Sequence, residues 1–346
     1  MGLKDEAILE SVERIVTAQR AWMNDHNRPF YTVCLTPRDG IRAGTALANA
    51  FVCMIDPDTN ANRLNVLLAH EMFHDWLLFR ARVVASDLDD DVPASKWAYQ
   101  WVDEGFTEYF ARTILVETGL LRMEQAVALT NEDFEDYWLN EHRHFPYADL
   151  RRAAEQGRFM NTHQRIGYYR GALIALDWDT RIQQRTNGDK SLSDAMRDII
   201  KAAIDRGGHL PETEFHAMMA QYGVDSNEAY QRYIIRGETP PANADAFGAD
   251  YVLDATIMHD FAPGFDVNAS EDSGRVVGVD PTGHAHGAGL RNGMELIDVR
   301  NSRRYDPDDP MQVIVRIDGV ESTIKFYPNG APMRVPVFRR ADREAR

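Results

Sequence analysis

The chain has 346 residues, 44% hydrophobic and 27% charged, enough for two ordinary buried cores. Its 54 acidic and 38 basic side chains leave a formal charge of −16, which opposes long-range attraction to nucleic acid or anionic membrane. The 2 cysteines, Cys34 and Cys53, exclude a disulfide framework and a cysteine-ligated zinc site; both are expected as core thiols.

The amino terminus is charged from its fourth residue and lacks the apolar stretch of a secretory signal. No apolar run reaches the roughly 18 residues of a membrane span. As written, the chain is expected to be soluble, and cytoplasmic unless a leader has been removed. Ile8, Val12, Ile15 and Val16 repeat at helical spacing and predict a first helix over about 5–24. "PFYTVCLTP" and "GTALANAFVCMI" then read as strands, being rich in β-branched and aromatic residues between Gly, Pro and Asp. Helical spacing returns over about 61–82 and 96–118, separated by an acidic loop containing Asp87 to Asp91. Further helices are expected over about 165–186, 191–206, 211–222 and 226–235; Ser191 and Asp194 suggest a cap, and Pro211 suits a first turn. Beyond "RGETPPANADAFGAD" the texture changes to short β-type runs, among them "GFDVNAS", "GRVVGVD" and "QVIVRIDG", so a β-rich domain is expected from 246 to 346.

Residues 70–74 read "HEMFH". Each helical residue advances about 100°, so side chains four apart share one face and His70 and His74 can grip one cation. Glu71 lies beside the pair, where a carboxylate reaches a metal-activated water without displacing it. The competing reading is a helix that merely carries two histidines. A third ligand favours the first. A metzincin would need glycine and histidine where the chain has Leu77 and Arg80, so that scheme fails. In "WVDEGFTEYF", Glu104 is the best candidate, with Gly105 beside it allowing close approach of two helices. Glu108, one turn on, is assigned to the free ring nitrogen of a ligand histidine, fixing its tautomer. The reverse assignment, with Glu108 as ligand, stays open, and Asp103 is a weaker alternative. His142 with His144, and His284 with His286, compete weakly.

"HEMFH", "WVDEGFTEYF", "GYYRGALIALDWDTRI" and "SLSDAMRDI" together resemble the glycyl aminopeptidases, zinc peptidases of the gluzincin type with a carboxy-terminal PDZ domain. The similarity runs from about residue 60 to the end. It implies an α+β chain: a mainly helical, thermolysin-like catalytic domain over 1–245, then a PDZ-like domain over 246–346. Related gluzincin aminopeptidases carry a transition-state tyrosine in a Tyr-x-Lys-Gly-Ala segment, which implies that role for Tyr168, with Arg170 in the lysine position. "GRVVGVDPTGHAHGAGLRNGMELIDV" is similar to bacterial PDZ domains, and "APGFDV" is the implied edge strand and carboxylate loop, with Gly264 and Phe265 as peptide-binding positions. Two features depart from the family. Only about sixty residues precede the zinc motif, where the family has a large β domain. The upstream stretch "GIRAGTALANAF" also lacks the carboxylate of the family's Gly-Gly-Leu-Glu-His-like segment.

The expectation is a zinc-dependent metallopeptidase: Zn²⁺ on His70, His74 and Glu104, Glu71 as general base and then acid, and Tyr168 on the oxyanion. Aminopeptidase action is expected; endopeptidase action, or an inert peptide-binding scaffold, is the alternative. The partners implied are a peptide or protein substrate and a peptide ligand of the PDZ-like domain, with no nucleic acid.

Overall fold

A computed structural model describes residues 5–25, 30–41, 43–85, 99–140, 142–156, 161–300 and 307–341. The chain folds as two compact units, one of Met1–Asp254 with Val337–Arg346, the other Ala255–Pro336.

In the first unit, helix α1 (Asp5–Met23) starts with two acids and has Arg20 in its last turn, complementing the helix dipole. Its buried Gln19 donates from Nε2 to the carbonyl of Ala69 at 2.7 Å, tying α1 to the next helix. A small sheet follows, of β1 (Thr32–Pro37), β2 (Ala43–Leu47) and β3 (Ala50–Ile55). β3 is central, parallel to β1 and antiparallel to β2. The run "GTALANAFVCMI" is therefore a hairpin rather than one strand. The chain reverses at Asn49, whose φ of 62° suits asparagine's tolerance of the left-handed region. Cys53 is buried, but Cys34 is exposed. β1 is an edge strand, and its alternation turns Cys34 outward with Thr32 and Thr36.

Helix α2 (Ala61–Leu77) is capped by Asn60, whose side chain accepts from the amide of Arg63 at 3.0 Å. From Leu64 nearly every residue is buried, including His70, Glu71 and His74, as befits a helix at the centre of a core. It ends at Leu77, and residues 82–84 form β4 (Arg82–Val84), parallel to β5 (His209–Pro211). A π-helical stretch, Trp101–Phe106, runs into α3 (Thr107–Glu117). Two helices not expected from sequence come next, α4 (Met123–Trp138) and α5 (Tyr147–Glu155). They precede the long α6 (Asn161–Thr186) and α7 (Leu192–Asp205). The Ser191 cap holds, with its amide donating to Asp194 at 2.9 Å. α8 (Glu212–Gln221) and α9 (Ser226–Ala229) close the helical array. The core is aromatic: Trp101 meets Phe106 and Trp178 edge to face at 5.5 and 5.8 Å.

Strands β6 (Tyr251–Phe261) and β10 (Asn329–Arg340) pair with each other and carry the chain into and out of the second unit. Back in the first unit, Asn131 binds both backbone groups of Phe338 at 3.0 and 2.8 Å. The second unit holds α10 (Val267–Ser273), α11 (His284–Gly287) and an antiparallel sheet β7 (Glu295–Arg300), β8 (Met311–Ile317), β9 (Val320–Phe326) in that order. β8 and β9 join through Asp318 and Gly319, both at positive φ, the two-residue turn that matches strand twist. "GFDVNAS", read as a β-type run, is instead the start of α10. Asp266 accepts from the amide of Ala269 at 2.9 Å, so the local cap overrides the alternation.

Candidate active site

α2 presents His70 and His74 one turn apart, their Nε2 atoms separated by 3.1 Å. The π-helical stretch brings Glu104 to them, Oε2 lying 3.3 Å from His70 Nε2 and 3.2 Å from His74 Nε2. One ligand atom from each of the three falls within 4.8 Å of the others, the one such group of three among the described residues. Glu104 Oε2 is buried without a hydrogen-bond partner despite these short distances. Three electron-pair donors so placed fit a divalent cation better than one another. The electrostatics agree. Burial alone would raise the Glu104 carboxyl, but the imidazoles beside it hold it well below the usual carboxylate range. Burial would lower His70, but Glu104 and Glu108 outweigh it and push the imidazole up to about 10, so the site favours positive charge.

Glu108 Oε2 is 2.9 Å from His70 Nδ1, off the ideal hydrogen-bond line. Arg112 then bridges Glu108 to Asp133, an arrangement that sets the Glu108 carboxylate and through it the histidine ring. A cavity of about 380 Å³ with Arg112 and Asp133 in its wall lies beyond this chain of contacts, and none of the three converging residues lines it. Asp103 is buried and held well above its ordinary range by desolvation, against the pull of Arg82. It is outside the converging group.

Glu71 is buried beside the pair. Desolvation raises its carboxyl, His70 and His74 oppose that, and Glu104 and Glu108 add to it. β2 makes its room: a Cβ on Gly44 would overlap the Glu71 carboxylate. Gly44 pairs in register with Cys53. Burial, and then the charge of Glu71, push the Cys53 thiol up to about 12.

The Tyr168 ring stacks on His70 with centroids 5.8 Å apart and planes 9° from parallel. Burial, then the Glu104 carboxylate, raise its phenol and keep it a proton donor. Tyr169 faces elsewhere, donating to Asp136 at 2.9 Å. Arg170, in the lysine position, is buried and donates to the carbonyls of Arg143 and Phe145 at 2.6 and 2.8 Å, anchoring the loop after α4. The "GYYRG" glycines hold α6 against the π-helical stretch. A Cβ on Gly171 would strike the carbonyl of Trp101 and the backbone of Gly105, and one on Gly167 would strike Gln100.

The structure thus brings together His70, Glu71, His74, Glu104, Glu108 and Tyr168. Gly264 and Phe265 are in the second unit. Gly264 is left-handed at φ 72°, Phe265 is buried in that unit's core, and the residues between Phe261 and Val267 form a loop rather than the expected edge strand. His142 stacks on His163 at 3.8 Å, and His284 and His286 lie on α11. The Asp87 to Asp91 loop is outside the described residues. Sequence reasoning missed Gly44, Arg112 and Gly171. Only Arg112 had a local signal, four residues after Glu108 on one helix.

Residues 63–174, a segment containing this whole group, match the family model of the M61 glycyl aminopeptidases. Over that segment the chain is similar to the glycyl aminopeptidases. Among solved structures, an aminopeptidase N family protein from Idiomarina loihiensis shares the fold, with a TM-score of 0.69 and 14% identity over 99% of this chain. This chain spans 66% of that protein's chain. No curated protein matches. No described helix is long and apolar enough to cross a membrane.

Proposed function

We propose that the chain is a zinc-dependent metallopeptidase that removes amino-terminal residues from peptides. The observation that carries this reading is the convergence of His70, His74 and Glu104 with Glu71 beside them. His70, His74 and Glu104 would hold the ion, leaving one position for water. When bound, zinc supplies the Lewis acidity that lets water ionise near neutral pH. Glu71 takes the water proton as attack on the scissile carbonyl begins and passes it to the leaving amine. Desolvation of its carboxyl suits that exchange, since a raised pKa lets one group act as base and then acid. The Tyr168 phenol donates to the developing oxyanion. Glu108 and Arg112 keep His70 in the required tautomer and orientation. A PDZ-like peptide-binding role for residues 246–346 is the companion proposal; the left-handed Gly264 before a buried Phe265 supports a loop with its anchor.

Metal analysis of substituted proteins tests the first reading. The unaltered chain should hold one zinc per molecule, and His70→Ala, His74→Ala and Glu104→Ala should each lose it. Glu71→Gln should keep the metal and lose turnover. Zinc undiminished in the Glu104→Ala protein moves the third ligand to Glu108, and full turnover in Glu71→Gln removes the general base.

A further inference from the structure

Helix α6 carries a cation beside the site that the reaction above leaves unused. Arg165 precedes Tyr168 by one turn, and its guanidinium carbon stands 5.2 Å from the centre of the Tyr168 ring. That ring in turn stacks on His70, so one aromatic side chain links the arginine to a ligand histidine. Arg165 is exposed, and among the described residues no hydrogen bond or ion pair engages its guanidinium. The carboxylates whose field reaches it are committed elsewhere: Glu108 to His70 and Arg112, Asp136 to the Tyr169 hydroxyl. A guanidinium resting on an aromatic face keeps the N–H groups at its edge free for a planar, two-oxygen acceptor. β2, on the Glu71 side of the site, brings no acid of its own: it reads Ala43, Gly44, Thr45, Ala46, Leu47.

We infer that Arg165 recognises a carboxylate of the substrate, borne either by an acidic side chain near the scissile bond or by the carboxy terminus of a short peptide. An extended peptide advances about 3.3 Å per residue, so a carboxylate two or three residues from the reacting carbonyl spans the ring-to-ring and ring-to-guanidinium steps seen here. The inference rests on the peptidase reading for the identity of the ligand as a peptide, but not for the charge that the site selects.

The test uses the full, zinc-loaded chain and one short peptide sequence in three forms: a carboxy-terminal amide, the free acid, and the amide with a glutamate two residues beyond the scissile bond. At least one carboxylate form should show a kcat/KM about tenfold above that of the neutral amide, and which one does so separates the two sources. Arg165→Gln should bring the ratio near one, and Arg165→Lys should keep part of it. Calorimetric titration of the same peptides into Glu71→Gln protein reads the preference without turnover. Equal cleavage and equal binding of all three peptides by the unaltered chain overturn the inference and leave the peptidase reading intact. A preference that survives Arg165→Gln overturns it too. Selective binding of a carboxylate form with no cleavage of any peptide keeps Arg165 in its role and removes the peptidase.

Discussion

Tyr168 and Tyr169 are neighbours in sequence with identical side chains, yet only the first has its ring against His70; the second is tied to Asp136. A donor used mainly in the transition state lowers kcat when removed and disturbs folding little. Tyr168→Phe should therefore reduce kcat by roughly a hundredfold, while Tyr169→Phe removes a hydroxyl whose partner lies off the site and serves as the control. Steady-state kinetics with circular dichroism checks both; equal, mild effects at the two positions would take Tyr168 out of the mechanism. The histidine pair and Glu71 were legible in sequence because helical spacing alone puts them side by side. Gly44 was not, because its importance is a missing Cβ seen only when β2 is laid over α2. Arg165 was equally silent, since nothing local says that no ion pair among the described residues answers its charge.

At the scale of elements, the site depends on how closely α6 crosses the π-helical stretch Trp101–Phe106. One element carries Glu104 and the other Tyr168, and they meet through Gly105 and Gly171 with no side chain between them. Gly171→Ala must push the two backbones apart. A misplacement on the order of 1 Å at a reacting group costs about a hundredfold in rate, so kcat/KM should fall by that order, with zinc affinity and Tm falling as well. Gly287→Ala, where a Cβ would meet open space, is the matched control. A Gly171→Ala protein with unaltered kinetics and metal content would show that the crossing has slack. The main helices were readable because their apolar stripes are regular. α4 was overlooked because its buried face includes Thr130 and Asp133 beside Val127 and Phe134, so the apolar repeat is broken where Asp133 pairs with Arg112. α10 was read as strand because "GFDVNAS" alternates, and the Asp266 cap decided otherwise.

On the scale of the whole molecule, the question is where in a peptide the chain cuts. An aminopeptidase must meet a substrate ammonium, and leaving that charge unpaired in a closed site costs several kcal/mol, so a carboxylate has to stand within reach. β2 offers none. Within the site, Glu104 lies between two histidines and Glu108 is held by Arg112, so the acid proposed here comes from elsewhere on the catalytic helices or from the Asp87 to Asp91 loop, which is outside the described residues. Taken with a carboxylate contact at Arg165, this describes a short peptide recognised by opposite charges on either side of the scissile bond. The expected outcome for a peptide with a free amino terminus is release of its first residue alone, while its acetylated twin stays whole. Mass spectrometry of the two digests reads this directly. Equal internal cleavage of both peptides would mean that no acid reaches the ammonium, and the chain would then be an endopeptidase whose charge selection rests on Arg165 alone.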